Sequence, residues 1–470
     1  MSAVETETPA ETPPAEIDAT LARAASAKRW MSKLSPDGRR LLLDALAVAL
    51  ESHAEELVAL AIRETQLTRP RLEGELKRAA GQFRVYGEAI ETLQATEIDE
   101  PNPAAVPTPI PRLVRVKVPL GVVLVFAASN FPFAFSVCGT DVASALAAGC
   151  PVVVKAHPGH PVLSARVAEL MLDALRASGA PDGVFGLIAG TEAGLAALRD
   201  ERVNAGAFTG SIPGGEFLLG VANSRRIPIP FYAEMGSLNP VVVAPAAALR
   251  AEQVLDGYVG SFTLGAGQFC TKPGLLFWPA SADLPAAFVD RLEGVAEQSM
   301  LNPRIASGFE KVVASIFAEP GVERFFGQLP ASDSQEATPI VGITDTKVLL
   351  ERHERLLQEC FGPAALIVRY DDMTDLIAVL EVFEGQLTGT IHADDADGGF
   401  VAEVVPVLAE RVGRLIWGEW PTGVAVAGAQ HHGGPYPATS NPLFTSVGPH
   451  ALERFWRPLA LQNFPAGFRL

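Results

Sequence analysis

The sequence predicts an α/β fold built on a parallel sheet, and three observations carry that prediction. Short apolar runs at 122–128, 151–155, 184–189, 205–209 and 229–233 alternate with helical stretches at Val137–Ala148, Pro161–Ala177, Glu192–Leu198 and Gly214–Asn223. Alternation of this kind implies parallel strands with helices on the sheet faces, because each crossover must pass over a face. The chain has 470 residues, more than one hydrophobic core accommodates, so two or three domains are expected. Hydrophobic residues make up 48% and charged residues 19%, a globular composition rather than a disordered one.

Taken in order, residues 1–16 are rich in Thr, Pro and Glu, with neither a basic leader nor an apolar core. They read as a short disordered tail, not a targeting peptide. From residue 17 to about 95 leucines recur near a 3.6-residue period (Leu42, Leu46, Leu50, Leu57, Leu60), which predicts helices. Pro101, Pro103, Pro107, Pro109 and Pro111 then exclude a helix or a central strand, so this stretch is extended. Arg112–Val118 largely alternates polar and apolar residues, as a half-exposed strand does. The alternating segment follows to Gly236. A second αβ segment runs from about 238 to 430, with strands expected at Val241–Ala244, Leu275–Phe277, Leu366–Val368 and Leu415–Trp417. No internal repeat is visible.

The formal net charge of −17 argues against nucleic acid or an anionic membrane as the main partner. Cys138, Cys150, Cys270 and Cys360 are scattered, with no C-x-x-C pair, so neither a zinc site nor a disulfide framework is expected. No apolar run reaches the ~18 residues a membrane span needs. A cytoplasmic protein in a reducing compartment is the expectation.

A parallel sheet places ligands at the carboxyl ends of its strands. Asn130, Lys155, Gly210 with Ser211, and Glu234 all follow or close an apolar run. Phe208-Thr-Gly210-Ser211-Ile-Pro-Gly-Gly215 opens a helix, where backbone N–H groups and the dipole favour a phosphate. It is neither the G-x-G-x-x-G nor the Gly-Lys-Ser/Thr phosphate loop, and alone it is as well explained by a structural turn. Cys270 sits in Gly265-Ala-Gly-Gln-Phe-Cys-Thr-Lys-Pro-Gly274, a glycine-rich turn that leaves a thiol open to a carbonyl. Glu234 is a carboxylate suited to act as a base. Lys272 either lowers the Cys270 pKa or points to solvent, and solvent is the reading adopted. His431 and His432 read as a polar loop, since adjacent histidines diverge and a metal needs further ligands. Phe131, Phe133 and Phe135 line a tunnel or belong to the core.

In this order the elements resemble the aldehyde dehydrogenase superfamily, over roughly residues 17 to 465. The resemblance rests on Ser129-Asn-Phe-Pro132, Lys155, Phe208-Thr-Gly-Ser211 with Gly215, Glu234-Met-Gly236, Gly267-Gln-Phe-Cys270 and Glu359-Cys-Phe-Gly-Pro363. Glu234–Pro240, Gln268–Gly274, Pro421–Val424, His432–Ser440 and Arg457–Pro465 are similar to one branch. That branch holds the α-ketoglutaric semialdehyde (2,5-dioxovalerate) dehydrogenases and their NADP-preferring relatives.

The resemblance implies a Rossmann-like cofactor-binding domain at 17–98 and 119–236 and a catalytic domain at 237–439. It implies an oligomerisation arm at 99–118 plus 440–470, and a homodimer or homotetramer. It also implies Cys270 as the nucleophile that forms a thioester intermediate, Asn130 as an oxyanion donor and Glu234 as the water-activating base. Lys155, His157, Gly210, Ser211, Gly215, Glu359 and Phe361 are the implied cofactor residues. NAD-preferring relatives often carry a glutamate where this chain has Pro158, preceded by His157, so NADP is the expected cofactor, with NAD possible. The expected substrate is α-ketoglutaric semialdehyde. The alternatives are a medium or long aliphatic aldehyde, and a catalytically silent protein on the same scaffold. Acyl transfer to coenzyme A is a further alternative, against which Glu234 speaks.

Overall fold

Four helices open the computed structural model, which describes residues 11–332, 334–465 and 467–468. They are α1 (Pro14–Met31), α2 (Pro36–Ser52), α3 (Ala54–Thr65) and α4 (Arg69–Leu93). Pro14 at the first helical turn starts α1, and Ile17, Leu21 and Ala24 bury its inner face. Residues 14–16 are therefore helical, not part of a disordered tail; residues 1–10 lie outside the described residues. Ser35 caps α2 by accepting the Gly38 N–H at 3.1 Å. The helical period splits the leucine run across α2: Leu43 is 1% exposed and Leu41 62%.

The proline-rich stretch lies between β1 (Glu97–Asp99) and β2 (Leu113–Pro119). Together with the strand Trp456–Gln462 these form a three-stranded antiparallel sheet, with Leu113 opposite Gln462 and Pro119 opposite Trp456.

The alternating segment folds as β3 (Val122–Phe126), α5 (Thr140–Ala147), β4 (Val152–Lys155), α6 (Pro161–Ala177), β5 (Phe185–Ile188), α7 (Thr191–Arg199), β6 (Val203–Thr209), α8 (Ile212–Asn223) and β7 (Phe231–Glu234). Its five strands are all parallel, in the order β5-β4-β3-β6-β7. The chain moves outward through β4 and β5, then returns to the other side of β3. A crevice therefore opens at the carboxyl ends of β3 and β6.

A seven-stranded sheet holds β8 (Val241–Val243), β9 (Leu275–Pro279) and five further strands, with the helix α9 (Ala251–Thr263) between β8 and β9. Its order is 323–326, 340–345, 364–370, β9, β8, 386–392 and 412–417, parallel except for the first pair. The strand Gln386–His392 is fully buried yet carries Gln386, Thr388, Thr390 and His392, so its apolar pattern is weak in the sequence. An α/β fold with parallel sheets is what the sequence predicts, and it is the fold observed.

Candidate active site

The carboxyl ends of β3 and β7 deliver two polar side chains to one place. Beyond β3, the Asn130 side-chain amide donates to the Gln268 carbonyl at 3.1 Å. The backbone carbonyl of Asn130 accepts from the Arg71 guanidinium at 2.7 Å. At the end of β7, Glu234 is 3% exposed, and its Oε2 accepts from Ser446 Oγ at 2.6 Å.

Cys270 follows α9 on a turn in which Gly265, Ala266 and Gly267 all have left-handed backbone, with φ of +57°, +55° and +65°. A Cβ at Gly267 would collide with the Gly362 carbonyl, so only glycine fits there. The turn is pinned from below by Asn239, itself at φ +51°. Asn239 Nδ2 donates to the carbonyls of Cys270 at 2.8 Å and Lys272 at 3.0 Å. Its Oδ1 accepts from Ser237 Oγ at 3.0 Å and Thr388 Oγ1 at 2.8 Å. Satisfied networks of this kind hold a backbone in one geometry. Ser237 thus serves as a link in this network.

His432 completes the cluster, which corrects its assignment to a polar loop. It is 1% exposed, with Nε2 at 2.8 Å from Glu234 Oε1 and 3.6 Å from Cys270 Sγ. Its backbone N–H donates to Thr445 Oγ1 at 2.8 Å, which fixes the loop. One ligand atom each from Glu234, Cys270 and His432 lie within 4.8 Å of one another. Ligands ~2.0–2.2 Å from a tetrahedral zinc stand roughly 3.4 Å apart. The histidine–glutamate separation is shorter than that, so the two are not spaced as ligands of one zinc ion.

The environment sets the protonation states. Burial pushes the Cys270 thiol well above its usual value, and the Glu234 carboxylate adds to the shift. Burial would also raise Glu234, but His432, Ser446 and the Cys270 thiol outweigh it and hold the carboxyl below its ordinary range. Glu234 is therefore the anion beside a neutral thiol.

Lys272 does not reach solvent, nor does it face the thiol. It is 3% exposed, and its ammonium donates to the carbonyls of Cys360 at 2.8 Å and Ala364 at 2.9 Å. It ties the Cys270 turn to the Glu359–Pro363 loop. Burial raises Glu359 to about 7, against the opposing pull of Lys272 and the Ser237 backbone N–H. Glu359 lies against Gly236, where a Cβ would collide with its Oε2. Phe361 is half-buried on the same loop.

Further along the sheet edge, Lys155 closes β4 and lays its stem on α7: a Cβ at Gly194 would stand 3.1 Å from Lys155 Cγ. His157 is half-buried, and its Nδ1 accepts the Gly159 N–H at 3.0 Å. After β6, Gly210 and Ser211 are exposed, and Ser211 Oγ accepts the Gly214 N–H at a loose 3.4 Å. Gly215 is buried because a Cβ there would collide with Met235 Sδ. An open helix start at the sheet's switch point, a strand-end lysine and a buried carboxylate suit a dinucleotide.

On the other side of Cys270, α4 contributes two arginines that the motifs do not reveal. The Arg71 guanidinium lies 4.9 Å from the Phe131 ring centre and 4.4 Å from that of Phe269. Arg78 lies 5.8 Å from the Phe135 ring centre. Nε and one terminal nitrogen of each arginine are buried without a hydrogen-bond partner among the described residues. Of the three alternating phenylalanines, Phe131 and Phe135 form this aromatic wall, with rings 5.3 Å apart. Phe133 belongs to the main core. The sequence offers only the helical spacing of Arg71 and Arg78 as a signal, and that spacing is equally that of a solvated face.

Comparison with known proteins gives the same picture. A profile described as the aldehyde dehydrogenase family matches residues 3–434. α-Ketoglutaric semialdehyde dehydrogenase 2 of Azospirillum brasilense is 44% identical over 444 residues, covering 90% of this chain and 83% of that protein. The α-ketoglutaric semialdehyde dehydrogenase of Acinetobacter baylyi is 39% identical over 455 residues, covering 95% and 86%. Among solved structures, aldehyde dehydrogenase 21 of Physcomitrella patens, in complex with the reaction product succinate, superposes with a TM-score of 0.82. The two are 20% identical, over 97% of this chain and 92% of that one.

Proposed function

The chain belongs to the aldehyde dehydrogenase family, oxidoreductases that act on aldehydes with NAD(P), and from that premise we propose that it oxidises a short ω-semialdehyde bearing a carboxylate. The foremost candidate is α-ketoglutaric semialdehyde (2,5-dioxopentanoate), the substrate in the names of the two curated relatives. The observation that carries this reading is the set of unpaired guanidinium nitrogens on Arg71 and Arg78 beside the aromatic wall. Buried N–H groups without a hydrogen-bond partner are costly even with the Glu75 carboxylate near both guanidiniums, and a substrate carboxylate supplies that partner. A medium-chain aliphatic aldehyde would suit the rings of Phe131, Phe135 and Phe269 but would leave those nitrogens unpaired.

Arg78 is the cleaner probe, because Arg71 also holds Asn130. Arg78→Met is expected to raise KM for the semialdehyde acid about 30-fold to 150-fold, the worth of a charged hydrogen bond of ~2–3 kcal/mol. An uncharged aldehyde of the same length should be oxidised as before. Equal losses on both substrates, or none on either, would remove the carboxylate from the reading.

In the proposed mechanism, Cys270 Sγ bonds to the aldehyde carbon as its proton passes to the Glu234–His432 pair. The carbonyl oxygen becomes an alkoxide held by the free N–H of Asn130 Nδ2 and the Cys270 backbone N–H. The bound nicotinamide supplies the hydride acceptor. Once the pair has released that proton to solvent, water deprotonated by Glu234 attacks the Cys270 thioester, and the C–S bond breaks to release the carboxylic acid and the thiol. Lys155 and His157 serve the adenosine ribose, Gly210, Ser211 and Gly215 the pyrophosphate, and Glu359 with Phe361 the nicotinamide ribose. With Pro158 in place of an acid, NADP is accepted alongside NAD.

Glu359 gives this assignment a pH signature. A ribose hydroxyl needs the carboxylate as acceptor, and Glu359 loses its proton only as pH rises through about 7. KM for the cofactor should therefore fall as pH rises from 6 to 8, and Glu359→Gln should flatten that dependence. A wild-type KM that is flat across the interval would detach Glu359 from the ribose.

The division into cofactor-binding parts (17–98, 119–236), a catalytic part (237–439) and an arm (99–118 with 440–470) completes the reading, as does a homo-oligomer joined through the arm. The edge strands of the three-stranded sheet are its available pairing surfaces. All four cysteines are free, in keeping with a cytoplasmic setting. Among the described residues no helix is long and apolar enough to cross a membrane.

A further inference from the structure

We propose that Glu11, seated on the first turn of α7 beside Lys155, sets how strongly the enzyme discriminates against the 2′-phosphate of NADP. The inference rests on the reading of Lys155 as the residue that serves the adenosine ribose.

The seat is shaped for this carboxylate. Glu11 Oε1 accepts the N–H groups of Thr191 at 2.7 Å and Glu192 at 3.3 Å, and Oε2 accepts that of Ala193 at 3.1 Å. These are the donors that a helix leaves unpaired at its start, and the dipole there favours a negative charge. Thr12 clasps the same loop: its N–H donates to the Ala189 carbonyl at 2.9 Å, and its hydroxyl accepts the Ala189 N–H at 2.8 Å. Gly190 has φ +103°, and a Cβ there would collide with the Glu11 carboxylate, so the loop admits Glu11 only because residue 190 is glycine.

Lys155 shares this turn, since its stem lies against Gly194. The α7 N–H groups, that of Ala193 foremost, hold the Glu11 carboxyl below its ordinary range against the opposing effect of burial, and Lys155 adds to the lowering. Glu11 is therefore an exposed anion at the end of β4 and β5. Among the described residues Glu11 is the anion that acts on Lys155 and Arg304 is a cation facing it, while burial keeps His157 neutral.

A 2′-phosphate is drawn to a lysine ammonium and to free helix N–H groups. Here the helix donors are already taken, and a like charge stands beside the ammonium. A 2′-hydroxyl carries no charge and can donate to a remaining lone pair of the carboxylate. Glu11 thus supplies, from a distant part of the chain, the acid that position 158 lacks. Pro158 lets the phosphate in, and Glu11 limits how tightly it is held.

Titration of tryptophan fluorescence with NADP+ and NAD+ tests this on the full chain without turnover. Glu11→Gln should tighten NADP+ roughly fivefold to tenfold, the effect of removing one like charge at a solvated site. NAD+ should shift by less than about threefold, and Glu11→Asp, which keeps the charge, should leave the ratio of the two near wild type. Equal changes for both cofactors in Glu11→Gln, or no change in either, would overturn the role. Lys155→Gln separates the two levels. If it weakens both cofactors while Glu11→Gln is neutral, only the Glu11 inference falls; if it weakens neither, the cofactor assignment falls with it.

Discussion

Cys270→Ala is expected to abolish aldehyde oxidation and to leave cofactor binding intact. The expected loss is roughly 10⁴-fold or more, as when a covalent nucleophile is removed. The substitution deletes one sulfur at a half-buried position and leaves the backbone pins in place. The Cys270 carbonyl keeps its bond from Asn239, and Gly265 to Gly267 keep their left-handed turn. The residues proposed to hold the cofactor, at the ends of β4 and β6, are on other elements. The measurement is the absorbance of reduced cofactor with a panel of aldehydes, paired with a fluorescence titration of NADP+. Sustained oxidation above about a thousandth of the wild-type rate would show that another group forms the covalent bond. A folded variant that no longer binds cofactor would show that the thiol shapes the cofactor site, contrary to the mechanism proposed.

Glu234→Gln is expected to preserve a first burst of reduced cofactor, near one per site, and to slow steady turnover by about 10²-fold to 10⁴-fold. Glutamine keeps the size of the side chain and an oxygen for the Ser446 hydroxyl, so the pocket stays assembled. What disappears is the anion proposed to take a proton from water. Because Glu234 is held below the ordinary carboxylate range, its base form persists as pH falls through that range. The hydrolytic step in the wild type should therefore keep its rate to lower pH than an unperturbed glutamate allows. His432→Asn divides the proton traffic further. If His432 receives the Cys270 proton, this variant slows the burst itself, whereas Glu234→Gln spares it. A steady-state rate unchanged by Glu234→Gln would take the carboxylate out of the hydrolysis.

Much of the first sheet is legible in the sequence. Strands buried on both faces read as unbroken apolar runs, and β3 to β7 each fall within or beside such a run. Pro161 marks the start of α6 to the residue, because proline suits the first helical turn. The second sheet is harder to see. Its strand 386–392 buries two threonines, and the Thr388 hydroxyl there donates to Asn239 Oδ1 from a distant segment. The candidate site is legible in the same uneven way. Cys270, Glu234 and Asn130 stand in short motifs, whereas His432, Asn239, Arg71 and Arg78 carry no local mark of what they touch.

The sequence by itself determined the order of strands and helices, the glycine turn that carries the thiol, and a carboxylate at a strand end. Those are local properties, set by hydrophobic period and by the backbone angles a residue tolerates. The fates of Lys272, His432 and Glu11 were decided by the tertiary structure alone. A lysine that reads as a solvent-seeking side chain ends among the carbonyls of Cys360 and Ala364. A histidine in a glycine-rich loop ends against Glu234, and a glutamate near the chain's start ends on α7. A polar side chain takes its role from the partners within about 3 Å of it. Which partners those are depends on how distant segments are folded together, and no window of the sequence contains that information.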